Sequence, residues 1–191
     1  MTNTPSARAR GSIIGAGAEG LGRICSVLVP YALVGLLLRL VMARLFFLSG
    51  QTKIDGPRIP LHLKVPGTNV FLVDLDVVLP REVAPATFQL FETQHANLPI
   101  APDLAAYLLS YGEFVLPICL VLGFATRLTA LTLAIATIGF ALYVAPALWW
   151  GAYVYWVVIL LTLVSVGGGA ISIDALLRTL YRRERTPAEM P

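Results

Sequence analysis

Four runs in this 191-residue sequence are apolar enough, and long or nearly long enough, to cross about 30 Å of hydrocarbon as helices. They cover residues 24–50, 103–123, 128–147 and 150–167. No soluble core is needed to explain such a pattern. Apolar residues make up 57% and charged residues 13% of the chain, with a mean hydropathy of +0.78. An ordinary soluble domain has about 25% charged residues. The expected fold is therefore an all-α membrane protein, a bundle of four transmembrane helices. Pro30 starts or kinks the first run, and Asp103 is placed to cap the second after Pro102. The fourth run is short and uses its aromatic end as an interface anchor. The first is too long for a signal-peptide core and no small-residue cleavage site follows it, so it reads as an uncleaved anchor.

Arginines indicate the orientation. Arg8, Arg10, Arg23, Arg127, Arg178, Arg182, Arg183 and Arg185 fall on one side if the chain crosses four times. Lys53, Arg58, Lys64 and Arg81 share one long loop on the other side, which weighs less in the positive-inside rule. Both termini are therefore expected in the cytoplasm. Residues 1–23 form a cytoplasmic segment, 24–180 the membrane domain, and 181–191 a cytoplasmic tail.

The loop at 51–102 is more than a linker. "IPLHLKV", "PGTN" and "VFLVDLDVV" spell two strands around a turn. "PATFQLFETQ" then has helical spacing at Phe88, Leu90 and Phe91, so the insertion reads as an extracytoplasmic hairpin plus helix. After the fourth run, "GGG" breaks the helix. "SIDALLRTLYRR" restarts it, with Ser172 as N-cap, Asp174 in the first turn, and Leu176, Leu177 and Leu180 on one face. That pattern is an interfacial helix.

Arg39, Arg44 and Glu113 are ionisable residues inside apolar runs, where charges pair or face a cavity. If the first helix ends near Gly50 and the second begins near Asp103 at the same level, Arg39 and Glu113 both lie about 15–16 Å deep at about 1.5 Å per residue. They are the expected buried pair. Arg44, about 140° around the helix from Arg39, is expected in an outer polar pocket with Ser49, Gln51 and Lys53. Such a pair can clamp two helices, or it can line a site for a quinone head group or another small polar ligand. Tyr107, Tyr111, Tyr143, Tyr153, Tyr155 and Trp156 are candidate walls, although interface belts also use such residues.

Other chemistries find little support. Cys25 and Cys119 are far apart in apolar runs and form no C-x-x-C. "GAGAEG" at residues 15–20 lacks the strand and acidic residue of a dinucleotide site. Glu92 and His95 have helical spacing, but with His62 they make no recognisable metal set. No basic stripe with interleaved aromatics suggests nucleic acid.

Three ordered stretches carry a resemblance: "LLLRLVMARLFFLSGQTK", "AAYLLSYGEFVLPICLVLGFATRLTAL" and "GGGAISIDALL". Together they resemble the DoxX family of small bacterial membrane proteins, over about residues 33–180. The resemblance implies a four-helix bundle in the bacterial cytoplasmic membrane. It also implies a link to thiosulfate:quinone oxidoreduction or to other membrane redox complexes with partner subunits. Arg39, Ser49, Lys53, Glu113, Arg127 and Asp174 match its motif positions. Where the family pattern has a His three residues before the fourth-helix Trp, this chain has Tyr153, so a role tied to that His does not carry over. Two functions follow from residues and resemblance together. One is an oxidoreductase subunit with a bound quinone and no intrinsic cofactor. The other is a non-catalytic accessory subunit that stabilises a larger complex. For the quinone reading, the buried charge pair and candidate head-group site comprise Arg39, Arg44, Glu113, Tyr111, Ser49 and Lys53, on helices one and two.

Overall fold

The computed structural model describes residues 30–69 and 71–184. The expected segment 1–23, the "GAGAEG" run, Cys25, the start of the first expected span at 24–29 and the tail from 185 onward lie outside the described residues.

The chain is mostly helical. Helix α1 is Tyr31–Gln51, α2 is Pro85–Thr93, α3 is Pro102–Leu122, α4 is Thr126–Tyr143, α5 is Val154–Val166 and α6 is Ile173–Glu184. A short turn of 3₁₀ helix at Pro146–Leu148 and a wide π turn at Trp149–Tyr153 lead into α5. Among the described residues, four helical segments are long and apolar enough to cross a membrane: Ala32–Gln51, Pro102–Leu122, Thr126–Tyr143 and Pro146–Val166.

Between α1 and α3 lie two small antiparallel sheets. Strands β1 (Ile54–Asp55) and β4 (Glu82–Val83) pair Ile54 with Val83. Strands β2 (Arg58–Lys64) and β3 (Phe71–Val78) form the expected hairpin, from Arg58 opposite Val78 to Lys64 opposite Phe71, with a bulge near Lys64. Its root is tied to α1, because the Val78 amide donates to Gln51 Oε1 at 2.5 Å.

Helix ends follow local chemistry. Pro102 opens α3 at a position where its missing N–H costs nothing. Asp103 sits in the first turn, favourable to the dipole, and Ala101 rather than Asp103 occupies the cap position. Gly123 ends α3 with φ +67°, and the bonds Gly123 N–H to Leu120 O and Phe124 N–H to Cys119 O make a Schellman closure. Ser172 caps α6 as its sequence suggests, accepting from the Ala175 amide at 3.1 Å.

The main core joins α1, α3, α4 and α5 through Met42, Ala43, Phe46, Leu120, Ala130, Leu133, Leu160 and Leu163. A second small core fixes α2 to the start of α3, with Phe91 against Ala105 and Ala106 and with Phe88 and Leu98 around them. That second core carries the start of α3 beyond the end of α1, and it decides where the charges meet.

Candidate functional site

Gly50, one residue from the end of α1, lies against the middle of α3. A Cβ placed there would come within 2.9 Å of the Glu113 carbonyl carbon and oxygen. Pro117, four residues on, has no N–H to give that carbonyl, so the helices touch where the ladder of α3 is interrupted. This register corrects the expected pairing. With Gly50 level with Glu113, eleven residues inward on each helix bring Arg39 level with Phe124. Arg39 therefore does not reach Glu113, because α3 starts beyond the end of α1 and not level with it.

Glu113 instead pairs with Lys53. The ammonium contacts Glu113 Oε2 and donates to Ser49 Oγ at 2.8 Å. The two charged side chains are only 12% and 13% exposed. Lys53 can reach back because α1 has just ended. Its carbonyl also anchors the insertion, accepting from the Ala84 amide at 3.0 Å and the Thr87 hydroxyl at 3.1 Å.

This cluster forms the polar end of a cavity of about 620 Å³. Leu45 and Phe46 of α1, Leu108, Leu109, Gly112 and Leu116 of α3, and Thr132, Ala136, Thr137, Gly139 and Phe140 of α4 line it. Tyr143, Tyr153 and Trp156 complete the wall, and Leu98, Pro99 and Ile100 roof it. Leu108 and Tyr143 line the cavity yet are 58% and 45% exposed, so it opens sideways between α3 and α4. Small residues Thr132, Ala136 and Gly139 on α4 and Gly112 on α3 leave room for that opening.

The other candidates lie elsewhere. Tyr111 stacks on Tyr107 at 6.4 Å, both exposed on α3 and neither lining the cavity. Tyr155 is exposed too. Arg44 is exposed and does not join Ser49 and Lys53 in a pocket, because the turn of the helix that buries Arg39 sends it to the outside. Gln51 binds the hairpin instead.

Arg39 belongs to a second polar cluster at the far end of the bundle. It is fully buried and donates from Nη2 to Ile171 O at 2.6 Å. Its Nη1 lies where a Cβ on Gly123 would be, so only glycine fits there. Asp174 completes the cluster: its carboxylate accepts from the Ala125 amide at 2.7 Å and the Thr126 amide at 2.9 Å. It caps α4, which has no cap of its own because Ala125 adopts a left-handed φ of +46°. Arg127 lies beside Gly167, whose Cβ would meet its Nε at 3.1 Å.

His95 follows α2, above the cavity. Its ring sits between Phe91 at 5.0 Å and Phe140 at 4.8 Å, both edge-on. Its Nδ1 is buried without a partner among the described residues. Burial, and secondarily the positive charge of Lys53, hold the imidazole below its usual titration range. The sequence reads His95 as a surface or satisfied histidine, with a metal ligand as the lesser alternative. Among the described residues, no three His, Cys, Asp or Glu side chains converge as a metal set would.

Residues 34–146 match the DoxX family, which is more than half of the chain. The chain belongs to the DoxX family. No curated protein and no solved structure matches it. With its four candidate spans, this DoxX protein is a multi-pass membrane protein, and its helices imply a lipid bilayer. The six residues singled out by the sequence resemblance divide between the two polar clusters, and Asp174 among them lies beyond the matched residues. Ser49, Lys53 and Glu113 stand at the cavity, while Arg39, Arg127 and Asp174 stand at the opposite end. Phe140 and the Leu98–Pro99–Ile100 roof carried no signal in the sequence beyond their apolarity.

Proposed function

We propose that this DoxX protein is the membrane subunit of a quinone-linked redox system, with the quinone head group seated against Lys53 and Glu113. The cavity is the observation that supports this reading. Its volume of about 620 Å³ lies within the range of small-molecule sites, about 300–1,000 Å³. Its walls are apolar and aromatic, with the lysine, carboxylate and Ser49 gathered at one end. A quinone has this polarity pattern: a flat head with two carbonyl oxygens and an apolar tail. Lys53 can donate to a carbonyl, and Glu113 can accept from a hydroxyl of the reduced form. The sideways opening between α3 and α4 leaves the tail in lipid. The quinone supplies the redox chemistry. The chain supplies the orienting charges and a water-poor wall, and electrons come from a partner subunit.

The test uses protein purified in lipid nanodiscs. Quinone should co-purify by mass spectrometry, and a short-chain ubiquinone should bind saturably. Ala136→Phe, which fills the α4 wall, should weaken binding at least about tenfold while leaving thermal stability intact. Absence of both co-purified quinone and saturable binding would overturn the reading.

A second reading, an accessory subunit of a larger complex, is favoured by the β2–β3 hairpin. Ile59, Leu61 and Leu63 alternate along β2 and are all exposed, an apolar face left for a partner. Stable co-purification of other subunits, lost on replacing these three by Ser, would support it. In either case the hairpin faces outward and both termini face the cytoplasm of a bacterial cell. Arg127 and Arg178 lie at the end of the chain's fold away from the hairpin, as the positive-inside rule asks. The exposed Leu176, Leu177 and Leu180 of α6 then lie on the cytoplasmic leaflet.

A further inference from the structure

One side chain, His95, ties the start of the cavity roof to α4, while Leu98 packs on the small core. Leu98, Pro99 and Ile100 have no regular secondary structure, and they connect α2 to α3 across the mouth on the hairpin side. The segment starts at His95, whose carbonyl accepts from the Leu98 amide at 3.1 Å and whose own amide donates to Leu90 O at 3.1 Å. The imidazole reaches over to α4 and wedges against Phe140, itself a cavity residue, while Phe91 of the small core backs it. The roof is thus pinned to the far wall through the edge-on contacts of this ring. Its buried, unpartnered Nδ1 makes the pin conditional, since a charged imidazole would place an N–H donor where nothing accepts it.

We infer that His95 is a pH-sensitive latch on the cavity roof: the neutral ring holds residues 96–100 down against α4, and protonation releases them and opens the cavity on the hairpin side. The role of the latch as a gate rests on the cavity being a ligand site; the latch itself needs no ligand. The charges around the ring all act in the same sense or are remote from it. Lys53 is the near positive charge and disfavours the imidazolium, and Glu113 is already engaged by Lys53. Glu92, on α2, is exposed, and α4 offers Phe140 with the Tyr143 phenol beyond it. Linkage fixes the sign. The closed roof lowers the affinity of His95 for a proton, so closure is fully favoured above the ordinary histidine value of about 6.5 and weakens as pH falls below it.

Hydrogen exchange on the full chain in nanodiscs tests this, with rates at residues 96–101 corrected for the intrinsic pH dependence. Protection there should fall several-fold from pH 8 to pH 5.5, because the open roof binds the proton more tightly than the closed one. The chain has two histidines, so His62→Gln serves as the control and should keep the fall. His95→Phe should abolish the pH dependence and stay protected at both values. His95→Leu serves the same purpose if the aromatic variant does not fold. Equal protection at both pH values in the wild type, or a fall that persists without His95, would overturn the latch. A quinone that fails to bind while the exchange pattern holds would overturn the ligand reading and leave the latch standing.

Discussion

Lys53 and Glu113 meet across the boundary between α1 and α3, one residue just past the end of its helix and the other in the middle of its own. The pair is nearly desolvated, so each charge depends on the other. Glu113→Gln or Lys53→Met leaves one charge unmatched and should cost roughly 1–3 kcal/mol of stability. The double variant Lys53→Met/Glu113→Leu should return to within about 1 kcal/mol of wild type. Thermal unfolding in nanodiscs measures all three. Quinone retention in the double variant then tells whether the pair serves only as a brace: a stable protein that no longer binds ligand assigns it to the site.

The close approach at Gly50 predicts a second effect. Gly50→Ala adds a Cβ against the Glu113 backbone, which cannot move as a side-chain tip would, and should destabilise by about 1–3 kcal/mol. Gly35→Ala, on the same helix, meets nothing within 4 Å and should be neutral or stabilising by up to about 1 kcal/mol. The difference between the two melting temperatures is the readout.

Asp174 is the third point of test. Removing its carboxylate uncovers the Ala125 and Thr126 amides, so Asp174→Ala should cost about 1–2 kcal/mol. Asp174→Asn keeps one acceptor and should cost about half of that. Both should leave ligand binding unchanged, because this cluster lies at the end of the bundle away from the cavity.

Orientation can be read by chemistry in intact cells. In a chain carrying Cys25→Ser and Cys119→Ser, Asn69→Cys at the hairpin tip should react with a membrane-impermeant maleimide. Arg178→Cys on α6 should react only after permeabilisation. The reverse pattern would invert the topology.

Much of the fold could be read from the sequence, because its signals are local. Apolar length marked the spans, alternation marked β2 and β3, and "GGG" marked the end of α5. The site was only half legible. Ser49, Lys53 and Glu113 stand out in the sequence and lie together at one end of the cavity, but which groups pair depends on how far one helix slides along another. A ruler that starts α3 level with the end of α1 pairs Glu113 with Arg39. The small core around Phe91, Ala105 and Ala106 lifts the start of α3 and gives Glu113 to Lys53. Asp174 shows the same limit. Its place in the first turn of α6 was foreseeable, but its bonds to amides 48 and 49 residues earlier were not.

The two-residue pairing of β1 with β4 closes the neck of everything between Asp55 and Glu82. Once Ile54 and Val83 are joined there, the bundle senses little of what hangs beyond them apart from the contact of Gln51 with Val78. The hairpin therefore hangs on this neck as a separable attachment: shortening it to a tight turn, or exchanging it for another ribbon, should leave the register of the helices beneath it unchanged.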